Sequence, residues 1–254
     1  MKTLIIFMLL NSFNAFAWTI NNSTLAGFPV TDIKIQIGSD SCNNANFTPS
    51  TLEALVQDAI DEYWNRVPTS ALKLESSGNS GISLSGDDLT SAAAKANANS
   101  IIIGCSQNAT LFTSNSILGV GGIACGSGVC RGVVLMNDKS GTNLGLVDRA
   151  TVVTAFAHEF GHALGLGHSS INGALMYYSL TNKTQKNLHQ DDMDGISYLY
   201  PNKKSLNGLG GACGTIDDVS KDKTQFFNSL LIGFLLVAFM INLFKKTIFN
   251  KKLI

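Results

Sequence analysis

Three of the chain's four histidines fall within eleven positions: His158, His162 and His168, in the run His158-Glu159-Phe160-Gly161-His162-Ala163-Leu164-Gly165-Leu166-Gly167-His168. Residues four apart lie one above the other on a helix, so His158 and His162 can reach one ion from a single face. Glu159 sits on the same turn without being needed as a ligand, and is placed to hold a water that the ion polarises. Gly165 can take the backbone conformation that ends a helix and is closed to most residues with a Cβ. The turn it makes brings His168 back toward the other two. Three neutral imidazoles with room for water describe a catalytic, open zinc site. Zinc suits this ligand set, and other divalent ions could replace it in vitro.

A helix must carry the first two histidines. Asp148 to Leu164 reads as that helix, with Val152, Val153, Phe156, Ala157 and Phe160 giving it apolar faces. Asp32 to Ile37 alternates apolar and polar residues, as a strand does. Thr48-Pro49 opens a second helix that runs to about Arg66 and stops before Pro68, with Leu52, Leu55, Val56, Ala59, Ile60 and Tyr63 on one face. Leu72–Glu75 and the apolar run Ile101–Gly104 read as further strands, and Ser91–Ala98 as a short helix. Ile117–Cys125 and Gly132–Met136 are two more strand candidates. His189, alone in a polar run, reads as a surface residue. Asp87 and Asp88 offer a calcium site (Ca2+) or, more simply, solvated loop carboxylates.

The run His158 to Ser169 resembles the zinc-binding signature of the metzincins, in its matrixin form. Ala174-Leu175-Met176-Tyr177-Tyr178, with Met176 eight residues after His168, resembles the Met-turn of that group. Leu188 to Tyr200, with Asp191-Asp192 and a Leu-Tyr ending, resembles the closing helix of matrixins. The resemblance implies an α+β, zincin-like catalytic domain: a twisted mixed sheet with an active-site helix and a C-terminal helix. It implies zinc on His158, His162 and His168, Glu159 as general base, and Met176 as an apolar floor under the metal. Tyr178 stands where matrixins commonly have proline and where astacin-like and serralysin-like enzymes have a tyrosine, so it is a possible fifth ligand, an oxyanion donor or a pocket residue. Asp191 and Asp192 resemble residues that brace the Met-turn and bind a new N-terminus, here Trp18; without the resemblance they would cap and solvate the last helix. One of the two strand candidates, Ile117–Cys125 or Gly132–Met136, should be the edge strand that pairs with extended substrate. A propeptide with a cysteine switch and the matrixin structural-zinc histidines have no counterpart before residue 158.

The two ends of the chain have their own character. Residues 1–17 read as a signal peptide: Lys2, an apolar run from Leu4 to Leu10, and Ala15-Phe16-Ala17 as the cleavage site. Residues 18–202 then form one domain and 203–225 a linker. Residues 226–244 are largely apolar and uncharged, long enough to cross a bilayer, and Lys245, Lys246, Lys251 and Lys252 mark 245–254 as a cytoplasmic tail. The expected topology is a single-pass type I membrane protein with its catalytic domain outside the cytoplasm. Net charge is zero and no basic run lies outside the tail, so nucleic acid is not an expected partner. Of five cysteines, Cys125 and Cys130 bracket a short loop, Cys42 and Cys105 could form a second disulfide, and Cys213 is left over.

These readings converge on an exported, membrane-tethered zinc endopeptidase acting on protein or peptide. A metzincin of another branch, astacin- or serralysin-like, is the alternative within enzymes. A non-catalytic zinc-binding surface module is the alternative outside them. Whether the substrate is a membrane neighbour, an extracellular matrix component or a precursor is left open by the sequence.

Overall fold

The computed structural model describes residues 18–21, 27–179 and 188–202. The expected signal peptide, linker, transmembrane segment and tail lie outside the described residues. Among the described residues, no helix is long and apolar enough to cross a membrane.

Five strands form one sheet: β1 (Asp32–Ile37), β2 (Lys73–Asn79), β3 (Ser100–Ser106), β4 (Gly119–Gly126) and β5 (Val129–Asn137), in spatial order β2-β1-β3-β5-β4. β1, β2, β3 and β5 are mutually parallel, and only β4 runs antiparallel, at the edge. Parallel neighbours require crossovers. Helix α1 (Pro49–Glu62) makes the first, and the short helix α2 (Leu89–Lys95) lies in the second. β3 is buried along its whole length, as its run of three isoleucines requires of a central strand covered on both faces. α1 and α3 (Arg149–Ala163) pack into the larger apolar cluster on one side; α2 joins Leu84, Phe112 and Val133 on the other.

The sheet is mixed and the helices are segregated around it, the α+β arrangement expected. Three expectations need correction. α1 leaves α-helical geometry at Glu62 and finishes as a tight turn over Trp64–Arg66, because Trp64 is drawn fully into the core and its indole N–H donates to the Ala157 carbonyl at 2.9 Å. β2 extends past Glu75 to Asn79 through polar residues. Its ladder with β1 carries it, and the Ser77 and Ser80 hydroxyls add bonds to the Ile35 and Ile37 carbonyls. His189 is no idle surface residue: it caps α4 (Gln190–Leu199), its Nδ1 accepting the Asp191 amide at 3.1 Å.

Two disulfides, Cys42–Cys105 and Cys125–Cys130, match the pairings read from the sequence. The first ties the loop after β1 to the end of β3. Close by, the buried Asp138 carboxylate accepts the Asn44 and Ala45 amides at 2.7 and 3.0 Å. Asp87 pairs with Lys95, and Asp88 caps α2.

Candidate active site

α3 is buried continuously from Val152 to Ala163, so its polar members lie inside the protein and need partners. Its end supplies one. Gly165, at φ 109°, closes the helix with paired bonds, Leu166 N–H to the Gly161 carbonyl and Gly165 N–H to the His162 carbonyl. That is a Schellman turn, and it needs a residue tolerant of positive φ. The same turn swings the Leu166 carbonyl onto His162 Nδ1 at 2.8 Å. His158 Nδ1 meets the Leu175 carbonyl at 2.7 Å. With both Nδ1 atoms occupied by carbonyls, each ring is held with Nε2 available on its other side.

The three rings converge. Centroids are 4.8 Å apart for His158–His162, 4.8 Å for His162–His168 and 5.5 Å for His158–His168. The donor atoms they offer lie within 4.8 Å of one another. Burial pushes the His162 imidazole down to about 4 and also lowers His168, so both stand neutral, as metal ligands must be. The donor set and its spacing fit a zinc ion.

Glu159 is buried beside them. Burial pushes its carboxyl up to about 8, partly countered by a bond from the Gly121 amide. The glycines of β4 make that contact possible: a Cβ on Gly121 would lie 2.2 Å from the Glu159 carbonyl oxygen. β4, not β5, is therefore the edge strand at the cleft. A cleft of about 1120 Å³ runs between Gly119–Gly121 on one wall and Tyr178–Ser179 on the other, with His158, Glu159, His162 and His168 at its floor and Asn143, Asp148 and Thr151 toward one end.

Met176 is buried under α3, where Gly161 leaves room for its sulfur: a Cβ there would sit 2.2 Å from Sδ. Asp192, almost wholly buried, accepts the Leu175, Met176 and His189 amides at 2.8, 2.9 and 2.9 Å. Burial holds its carboxyl above the usual range in spite of these donors. Asp191 receives the Trp18 amide at 3.0 Å. The two aspartates thus do more than cap and solvate α4. Tyr178 lines the cleft, largely exposed, and is hydrogen-bonded to Tyr177, whose hydroxyl it pushes up; the rings lie 4.4 Å apart.

The sequence reading missed Thr19 and Asn21. Gly167 N–H donates to the Thr19 carbonyl, Asn21 N–H to that of Gly165, and the Thr19 hydroxyl to that of His168. Gly167, which has no room for a Cβ against Thr19 Oγ1, was the available signal of this close approach.

The matrixin family model matches residues 61–201. The chain is 38% identical over 117 residues to metalloendoproteinase 1-MMP of Arabidopsis thaliana, covering 44% of this chain and 30% of that protein. It is 59% identical over 55 residues to the interstitial collagenase of Bos taurus (21% and 12%) and 51% identical over 63 residues to metalloendoproteinase 1 of Glycine max (22% and 21%). The matched stretches span less than a third of these relatives' lengths.

Proposed function

The chain belongs to the matrixin family, and from that membership we propose that it is a zinc-dependent endopeptidase with His158, His162 and His168 as ligands and Glu159 as general base. The observation that carries the proposal is the convergence of three imidazoles beside the buried Glu159 carboxyl, at the floor of a cleft walled by the edge strand β4. A bound zinc ion would polarise the scissile carbonyl and acidify water. The chain's own residues do the rest. The substrate backbone adds to the outer side of β4, the edge strand, whose Gly121 amide is already turned to Glu159. Glu159 accepts a proton from the attacking water and delivers it to the leaving amine. The proposal contains one zinc ion; Asp87 and Asp88 contact Lys95 and the start of α2. Tyr178 is assigned to the cleft wall, supported by its bond to Tyr177.

We further propose an exported, type I membrane protein with residues 226–244 as its anchor. Two disulfides in the catalytic unit support an oxidising compartment.

The test uses residues 18–202, produced with an export signal. One zinc per chain and cleavage of an unfolded protein are expected. Chelator should abolish cleavage, and Glu159→Ala should keep the zinc and lose at least about 10²-fold in turnover. An active Glu159→Ala protein would overturn the general-base assignment. Zinc binding without cleavage by the unaltered protein would point instead to a non-catalytic binding module.

A further inference from the structure

The turn at 174–176 holds two of the three clustered histidines. Its Leu175 carbonyl meets His158 Nδ1 at 2.7 Å, and its Met176 carbonyl accepts the N–H of Ser169, the residue after His168, at 2.8 Å. Asp192 holds that turn through the Leu175 and Met176 amides, and it also accepts the His189 amide at 2.9 Å. His189 is therefore one half of a reciprocal cap at the start of α4. Asp192 takes its backbone N–H, and its own Nδ1 takes the Asp191 N–H at 3.1 Å. The other edge of the ring lies against the loop that leads into the turn: a Cβ on Gly173 would stand 3.5 Å from Cδ2 and 4.0 Å from Nε2. Leu188, just before it, packs against the core.

A cap made by histidine works in one protonation state. The usual capping side chains, those of Ser, Thr, Asp and Asn, accept through oxygen. An imidazole nitrogen accepts only while it carries no proton, and histidine is the side chain whose charge changes between about pH 5 and 8. Once charged, both ring nitrogens donate. Nδ1 would then face the Asp191 N–H donor to donor, at the positive end of a helix dipole. The charges around the ring pull it out of the cap. Asp191 and Asp192 stand on its own helix, the loop at 169–176 carries no charged side chain, and Trp18 meets Asp191 through a backbone N–H. A charged imidazole is drawn to those two carboxylates, whose oxygens already hold the Trp18, Leu175 and Met176 amides. We propose that His189 is a positioning residue of the zinc site that acts in its neutral form: uncharged, it seats Asp192 under the turn at 174–176, and on gaining a proton it releases that turn, and with it His158 and His168. The inference rests on the zinc reading and deepens it, by giving the site an acid limit set outside its ligands.

The experiment measures the zinc affinity of the full-length protein, in detergent, by competition with a fluorescent chelator at about pH 7.5 and about pH 5.5, on either side of an ordinary imidazole's midpoint. His189→Asn keeps a capping acceptor and cannot charge; His189→Ala has no acceptor. At the higher pH, His189→Asn should match the unaltered protein within about twofold, and His189→Ala should bind zinc about tenfold more weakly. At the lower pH, His189→Asn should bind about five- to tenfold more tightly than the unaltered protein, since one excluded proton costs at most about tenfold per pH unit. The ligand imidazoles also charge in acid, but both proteins carry them and they cancel in the ratio. Melting curves of the metal-free proteins give a second readout. A ring that must stay uncharged in the fold loses stability as pH falls, so the Tm of His189→Asn should drop less on acidification. A ratio of His189→Asn to unaltered protein that is equal at both pH values, or zinc bound as tightly by His189→Ala at the higher pH, would overturn the inference and leave the zinc site intact. An unaltered protein that takes up no zinc at the higher pH would remove the zinc reading and this inference together.

Discussion

Replacing Asp192 by alanine should loosen the metal site without touching a ligand. Its carboxylate holds three backbone amides, those of Leu175, Met176 and His189, at 2.8 to 2.9 Å in a place almost closed to water. The alanine variant leaves three N–H groups without their acceptor. An orphaned buried donor costs about 1–3 kcal/mol. Allowing for water entering the small space, the sum is about 3–5 kcal/mol, or a fall in Tm of about 10 °C for a domain of this size. The Leu175 carbonyl that fixes His158 Nδ1 belongs to the same turn. Once that turn relaxes, the ring loses its orientation, and losses of this kind weaken metal binding about 10- to 100-fold. The assay is zinc competition against a fluorescent chelator, with thermal unfolding in parallel. Asp194→Ala is the control, because Asp194 lies on the same helix and bonds the Gln190 side chain. If Asp192→Ala binds zinc as tightly as Asp194→Ala and melts with it, the brace reasoning is wrong.

Metal-free protein should lose stability as pH rises from 6.5 to 8. Folded Glu159 binds more protons than the unfolded chain between 4.5 and about 8, which lowers stability as pH climbs; His162 binds fewer between about 4 and 6.5, which raises it. Below 6.5 the lowered imidazoles of His162 and His168 oppose the raised carboxyls of Glu159 and Asp192; above it the imidazoles drop out and Glu159 contributes about 1–2 kcal/mol. Urea midpoints of chelated protein should show the fall, and Glu159→Gln should flatten it; a slope that persists in that variant belongs to another group. Gly121→Ala brings a methyl to 2.2 Å from the Glu159 carbonyl oxygen, and backbone cannot yield as a side chain does. It should cost about 1–3 kcal/mol and reduce kcat/KM further than a melting curve alone would explain; a fully active, equally stable variant would show that β4 shifts freely. Removing Cys42–Cys105, which closes 63 residues, should cost about 4 kcal/mol, against about 2 kcal/mol for Cys125–Cys130, which closes five. Denaturation of the two double-serine variants checks the order.

The three-histidine cluster was legible because its geometry is local. Four residues separate His158 from His162, and Gly165 marks the turn that returns His168; helix periodicity and glycine's backbone freedom supply the rest. α1 and β1 were legible for the same reason, since a Thr-Pro start and strict alternation leave little choice. The choice between β4 and β5 as the edge was not. Both read as short apolar segments, and which one is central depends on pairing with β3, a long-range fact. The glycines at 119 and 121 mark the strand that must approach α3, but only once the helix is known to pass beneath it. His189 was misread because side-chain caps are usually Ser, Thr, Asp or Asn. Trp64 altered the end of α1 through a bond to Ala157, 93 residues away, which no local pattern contains.

The bonds from Trp18 to Asp191 and from Thr19 to His168 span 173 and 149 residues. They bear on the order in which the molecule matures. A ribosome adds roughly 5–20 residues per second, so the first of these residues waits roughly 10–30 s for its partner to exist. During that interval α1, the sheet and α3 can assemble and the His168 loop can meet Thr19, but Trp18 still lacks its acceptor and the brace from Asp192 has not been made. The cleft is therefore finished by the last helix of the domain to be made, since the turn that holds His158 waits for Asp192.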